Sequence, residues 1–304
     1  MYICRKKLKL AAIDVGSNAA RLLITEVTTT GAEPQFQKLS LVRIPLRLGF
    51  DVFDKGLIPK EKVEQISKTF RAYKLLIDIY GVEKTIACAT SAMRDASNAE
   101  EIIKRIKYET GISLQVISGD EEAQIIFENH IAEHLDKANS YLYIDVGGGS
   151  TECSFFSNGI LIYKKSFNIG TIRLLKNAVT DNDWATMKDT LRTVTKGHKK
   201  VMAIGSGGNI NKLFSMSKIK EGRPIPVTLL REYYKIFGEL NLAERMQQYQ
   251  LREDRADVIV PALQIYTQAM RWAGAEEIFV PKIGLVDGLV HHLYEVGDKV
   301  GNRG

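Results

Sequence analysis

Cysteine is scarce in this chain. Its 304 residues include three, Cys4, Cys88 and Cys153, far apart and odd in number. That spacing forms neither a metal-binding pattern nor a disulfide framework, and it fits a reducing cytoplasm. No apolar run is long enough to span a bilayer, so no membrane partner is expected. The opening MYICRKKLKLAAIDVG mimics a signal peptide, basic and then apolar. Asp14 breaks the apolar stretch early and no small-residue cleavage site follows, so no export signal is read. Zinc-finger spacing, aromatic ladders with interleaved basic residues and low-complexity tails are all missing, which argues against nucleic acid. The Walker pattern GxxxxGK[ST] is missing as well, so the chain carries no P-loop of that kind.

What is present describes a soluble globular protein: 45% hydrophobic and 26% charged residues. The length exceeds one ordinary core and suits two domains. Lys plus Arg is 42 and Asp plus Glu is 36, a formal charge of +6. Such an excess is compatible with an anionic partner without identifying one. Lys38, Arg43, Arg47, Lys164, Lys165, Lys199 and Lys200 are candidates for a polyanion track, and each taken singly reads equally well as solvated surface.

LKLAAIDVGSNAARLLITEVT reads as strand, tight glycine turn, strand, and YLYIDVGGGSTECSFFSNGILIY at 141–163 repeats the plan. Both share Asp-Val-Gly, at Asp14 to Gly16 and Asp145 to Gly147, which predicts a duplicated domain. Pro59 opens a helix with Val63, Ile66, Phe70, Tyr73 and Ile77 on one face and Gly81 closing it. Ser97 with Glu100 predicts a capping box for the next helix, which ends at Gly111. TIACAT and LQVIS read as strands, GDEEAQIIFENHIAEHL as a helix, and VMAIGSGGN as a strand ending in glycines before a helix. The remainder, from about residue 225, reads as helical. Strands alternating with helices give an α/β class.

A strand that ends in glycines aims backbone N–H groups outward and lets a ligand approach closely. Gly147, Gly148 and Gly149 fit that use, with hydroxyls from Ser150 and Thr151, and Asp145 at the strand end suits a hydrated magnesium ion. One such loop is equally a hairpin turn. Two related loops and a third glycine cluster, GSGGN, favour phosphate.

Taken in order, IDVGSNAARLLI (13–24), ATSAMRDASN (89–98), ISGDEEAQIIF (117–127), IDVGGGSTE (144–152), FNIGTIRL (167–174), GSGGN (205–209) and DRADVIVPAL (254–263) cover nearly the whole chain. In these the sequence resembles the exopolyphosphatase and guanosine pentaphosphate phosphatase family of the actin-like ATPase superfamily. The resemblance implies two ribonuclease-H-like α/β domains with an interdomain cleft, the first to about residue 124 (with the last helix, about 290–304, a candidate addition) and the second over 125–304. It implies Mg²⁺-assisted hydrolysis of a terminal phosphoanhydride, with inorganic polyphosphate or guanosine pentaphosphate as partner, and a homodimer. Ala19 stands where the family usually has a hydroxyl, and by the same resemblance the chain is expected to be a short, two-domain member without the extra helical domains of longer ones.

Asp120, Glu121 and Glu122 all suit a helix N-terminus, and residue chemistry alone does not choose among them. The resemblance selects Glu122 as the base that primes water, and Arg94 as the phosphate clamp. It assigns substrate contacts to Gly16, Ser17, Asn18, Arg21, Thr90, Ser91, Gly147, Gly148, Gly149, Ser150, Thr151, Gly207 and Gly208, and the metal to Asp14, Asp145 and Glu152. For Arg21 a strand-edge salt bridge is the alternative, and for Asp14 and Asp145 plain turn chemistry. Gly170, Thr171 and Arg173 read equally as a further phosphate-contact segment or a capped helix start. His130 and His134 match the HxxEH spacing, but with no third ligand and charged neighbours they read as a surface helix. Arg255 and Asp257 receive no chemistry. A non-catalytic polyphosphate or alarmone sensor and a kinase of the same superfamily are weaker alternatives.

Overall fold

The computed structural model describes residues 6–29, 34–127, 136, 139–198, 200–281 and 284–301. His130, His134, Cys4 and Lys199 lie outside the described residues. The chain divides into two compact units, Met1–Ser118 with Leu285–Gly304, and Gly119–Gly284. The division falls a few residues before the expected 124, so the helix Gly119–Phe127, which carries Glu122, belongs to the second unit. The last helix, Leu285–Gly301, groups with the first unit, where Lys38 pairs with Asp287 at 2.6 Å and Phe36 stacks on His291.

The first unit is built on strands β1 (Lys6–Val15), β2 (Ala20–Thr29), β3 (Pro34–Ile44), β4 (Lys84–Ala89) and β5 (Leu114–Val116), in the order β3-β2-β1-β4-β5. β1 runs antiparallel to β2 and parallel to β4. Leu10, Ala11, Ala12 and Ile13 are wholly buried, the continuous apolar run expected of a strand covered on both faces. The long helix is Lys60–Tyr80; Ile66, Phe70, Tyr73 and Ile77 are buried, and Gly81 closes it in the left-handed region at φ 64°. That is the face and the stop the apolar spacing predicts.

The second unit repeats the topology with β6 (Ser140–Val146), β7 (Thr151–Ser157), β8 (Ile160–Phe167), β9 (Val201–Ser206), β10 (Ile225–Pro226) and β11 (Glu277–Phe279), in the order β10-β11-β9-β6-β7-β8. β6 is again antiparallel to its hairpin partner β7 and parallel to β9. The β7–β8 turn is Asn158–Gly159, with positive φ of 53° and 75° at both, the backbone a two-residue hairpin loop needs.

Two expectations change. The Ser97–Glu100 capping box does not form: the helix is Ala99–Thr110 with Asn98 at its N-cap position. Asn98 instead holds the Ile58 backbone through both ends of its amide, at 3.0 and 2.8 Å, and Glu100 pairs with Lys104. The stretch after residue 225 is mostly helical but contributes β10 and β11, which are too short to show periodicity. Among the described residues no helix is long and apolar enough to cross a membrane.

Candidate active site

The β1–β2 turn and the β6–β7 turn are built alike. In the first, the Gly16 amide donates to the Ala19 carbonyl at 3.0 Å; in the second, Gly147 donates to Ser150 at 2.9 Å. Each loop is then clasped by the segment that follows the third strand of its unit. In the first unit the Gly49 amide donates to Ser17 O (2.8 Å) and the Arg47 amide to Asn18 O (2.9 Å). In the second, Thr171 donates to Gly147 O (3.0 Å), Ile172 to Gly148 O (2.8 Å) and Arg173 Nε to Gly149 O (2.7 Å). In a trans peptide the C=O and the following N–H point opposite ways. The amides of Asn18 and Ala19, and those of Gly148, Gly149 and Ser150, therefore face away from their clasps. Successive amides turned outward make an anion-binding concavity.

Gly170 shows why glycine is needed at the second clasp. A Cβ there would lie 2.4 Å from both Gly148 O and Gly149 C, inside the loop backbone. Thr151 is wholly buried and its hydroxyl donates to Ile169 O at 2.5 Å, so it braces the clasp. Ser150, also buried, occupies the position matched by Ala19 in the first loop, so the second loop keeps the hydroxyl that the first lacks.

The carboxylates separate the two loops. Asp14 and Asp145 are matched, and each faces a cross-strand partner on the same side of its sheet: Arg21 for Asp14, Glu152 for Asp145. Arg21 Nη1 bonds Asp14 Oδ2 at 2.6 Å. Burial raises the Asp14 carboxyl above its ordinary 3.8, and Arg21 opposes that through its charge and its hydrogen bond. The salt-bridge alternative for Arg21 is thus what the structure holds. Asp145 and Glu152 are instead two acids directly opposed, an arrangement that costs free energy unless positive charge or hydrogen bonds offset it. Glu152 is buried and Asp145 half-buried. Ser166 on β8, opposite Glu152, donates to its Oε1 at 2.7 Å. Among the described residues no group of three or more His, Cys, Asp and Glu side chains is arranged to hold a metal. The donor set fits an ion held by two carboxylates and completed by water and phosphate oxygens, the usual habit of Mg²⁺.

Glu122 lies in the first turn of Gly119–Phe127 with Asp120 and Glu121. Of the three, only Glu122 is buried. The helix packs on β7 and β8. Gly119 meets Ser166, and Gln124 accepts from Lys164 Nζ at 2.8 Å, so the helix starts near the loop end of β8 and runs away from it. Lys164 is thereby taken by the helix rather than left for a polyanion track.

The remaining expected contacts fall into two groups. Ser17 and Ser91 are buried and bond each other at 2.8 Å, the Thr90 amide donates to Val15 O at 3.1 Å, and Arg94 Nη1 donates to Ile117 O at 2.7 Å, all within the first unit. Arg94 thus braces the chain just ahead of the Glu122 helix with one of the five N–H groups of its guanidinium. In the second unit Gly207 has φ 108°, and a Cβ on it would come within 2.9 Å of Asp145 Oδ1. Gly208 opens the helix Gly208–Met216, and a Cβ there would lie 2.4 Å from Arg255 Nη1. Arg255 also donates to Asn209 Oδ1 at 3.2 Å. Sequence reasoning gave Arg255 no role; the DRADVIVPAL motif is the signal that marked it. A guanidinium at the positive end of a helix gains from an anion placed between them.

The sequence profile described as the Ppx/GppA phosphatase family matches residues 24–295. Exopolyphosphatase 1 of Mycobacterium tuberculosis is 25% identical over 303 residues, covering 93% of this chain and 87% of that protein. A bifunctional 3-dehydroquinate synthase/phosphatase of Fusobacterium nucleatum is 37% identical over 176 residues, 57% of this chain but only 26% of that longer protein. Among solved structures, an exopolyphosphatase from Cytophaga hutchinsonii superposes with a TM-score of 0.82 at 25% identity, covering 94% of this chain and 98% of that one. The Aquifex aeolicus member of the Ppx/GppA family superposes at 0.76 with 24% identity, covering 96% and 99%, and supports the fold.

Proposed function

The chain belongs to the Ppx/GppA phosphatase family, and from that premise we propose that it is an exopolyphosphatase, releasing orthophosphate from the end of inorganic polyphosphate with Mg²⁺. The observation that carries this reading is the clasped glycine loop of the second unit, whose three successive amides are turned outward, since a phosphate group needs several donors at once. The alignment with an exopolyphosphatase over 93% of this chain supports the same substrate class. The two described cysteines are free and buried, in keeping with a cytoplasmic location.

The amides of Gly148, Gly149 and Ser150 hold oxygens of the terminal phosphate. Glu122 orients a water and takes its proton as the water oxygen bonds to the terminal phosphorus; the bridging P–O bond breaks and the shortened chain leaves with its electron pair. Mg²⁺, when bound to Asp145 and Glu152, supplies Lewis-acid stabilisation of phosphoryl oxygens. Asp14 is assigned to charge balance with Arg21 rather than to the ion.

Arg255 at the start of Gly208–Met216 favours a second reading, guanosine pentaphosphate, whose additional phosphates would suit that site. A parallel assay separates the two. Long-chain polyphosphate, guanosine pentaphosphate and ATP are supplied with and without Mg²⁺, and orthophosphate is followed. Release from polyphosphate at the highest kcat/KM is expected. A preference for guanosine pentaphosphate would overturn the first reading in favour of the second.

A further inference from the structure

We propose that Ser166 is a positioning residue that sets the metal carboxylate and the catalytic-base helix against each other; this rests on the reading of Glu152 as an ion ligand and Glu122 as the base. Ser166 makes two contacts of different kinds. Its hydroxyl donates to Glu152 Oε1 at 2.7 Å. Glu152 is 2% exposed and sits directly opposite both Asp145 and Ser166 in the β6–β7–β8 ladder. A hydrogen bond to one carboxylate oxygen fixes the rotation of the group, so the other oxygen keeps one direction. Ligand carboxylates are commonly held this way by outer-shell partners.

The second contact is steric. Gly119, the first residue of the Glu122 helix, approaches so closely that a Cβ on it would lie 2.3 Å from Ser166 Cβ and 2.4 Å from Ser166 Oγ. Its φ is not in the left-handed region, so glycine is required here by proximity and not by backbone conformation. Lys164, two residues away on the same face of β8, ties the helix again through Gln124. The start of the helix is therefore seated on the same side chain that orients Glu152. The matched ladder in the first unit reads Asp14, Arg21, Arg43 and has no equivalent hydroxyl.

The two contacts can be broken separately in the full-length protein. Ser166→Ala removes the hydroxyl and adds no bulk. Binding of Mn²⁺ alone, with free ion counted by electron paramagnetic resonance, is expected to weaken about tenfold, the lower end for loss of an outer-shell partner. Gly119→Ala is expected to lower kcat on polyphosphate about a hundredfold with little change in KM, the effect of moving a catalytic group by about 1 Å. Adding Ser166→Gly to Gly119→Ala makes room for the new methyl. That double variant should recover most of the lost kcat at saturating Mg²⁺ while binding Mn²⁺ as weakly as Ser166→Ala. Wild-type Mn²⁺ affinity in Ser166→Ala, or no recovery in the double variant, would overturn the proposal. A wild-type enzyme that hydrolyses polyphosphate with no need of a divalent ion would overturn the metal reading itself, and is distinguished by showing in the unmutated chain.

Discussion

Replacing Gly170 by alanine tests the clasp on the second loop. The new methyl would sit 2.4 Å from Gly148 O and Gly149 C, and both are backbone atoms that no side-chain rotation can move aside. The segment 170–173 must then withdraw, and the bonds from Thr171, Ile172 and Arg173 to three successive carbonyls lengthen or break. Each such bond contributes about 0.5–1.5 kcal/mol net. Loss of two or three predicts destabilisation of about 1–4.5 kcal/mol for the second unit, a range that overlaps overpacking costs of about 1–3 kcal/mol. In a unit of this size that lowers the melting temperature by about 2–18 °C. The released carbonyls would let the loop peptides rotate, so the amides of Gly148, Gly149 and Ser150 lose their common direction. KM for polyphosphate should rise and kcat should fall. Urea unfolding followed by circular dichroism gives the stability, and orthophosphate release gives the kinetics. Gly238→Ala is the control. Gly238 is exposed in the helix Val227–Glu239 with nothing within 4 Å of the added methyl, so alanine should stabilise by about 0.5–1 kcal/mol. Wild-type stability and kinetics in Gly170→Ala would refute the clasp as the device that orients the loop.

Asp145→Asn should raise the Mg²⁺ concentration needed for half-maximal activity, whereas Asp14→Asn should leave that concentration unchanged, because Asp14 is already bonded to Arg21; a shift only in Asp14→Asn would reverse the assignment of the ion. Glu64 is held below its usual 4.5 by its bond to Arg105, and Glu109 by bonds from Ser67 and then Arg105. Depressed carboxylates contribute stability that is present above pH 4.5 and lost as pH falls through their folded values. The deficit of Arg105→Gln relative to wild type in urea unfolding should therefore be fully present at pH 7 and shrink as pH falls below 4.5; a deficit that grows in acid would contradict it.

Much of this arrangement was legible in the residues. The duplicated Asp-Val-Gly turns gave two sheets of one topology, because a strand–turn–strand with buried flanks leaves little choice of pairing. The helix Lys60–Tyr80 followed from apolar spacing and Gly81. Local signals failed where a distant partner competes: Asn98 is drawn to Ile58, so Ser97 and Glu100 have no box to form. The clasp at 47–49 acts through backbone groups, which leave no residue-type pattern, whereas the clasp at 170–173 adds the Arg173 side chain and shows in the sequence through Gly170, Thr171 and Arg173. Glu122 could not be told from Asp120 and Glu121 by chemistry, since all three suit a helix start; burial, a tertiary property, separates them. Arg21 and Glu152 occupy matched positions with opposite charge, and only the strand register reveals that Asp14 faces a guanidinium where Asp145 faces a second carboxylate.

In the proposed reaction Glu122 primes water to attack the terminal phosphorus of polyphosphate. Hydrolysis in ¹⁸O-labelled water, with wild type and Glu122→Gln compared under single-turnover conditions, tests it directly. Each orthophosphate released by wild type should carry one solvent oxygen, and Glu122→Gln should release it about 10²–10⁴-fold more slowly. Orthophosphate released without solvent oxygen, or equal rates for the two proteins, would contradict it.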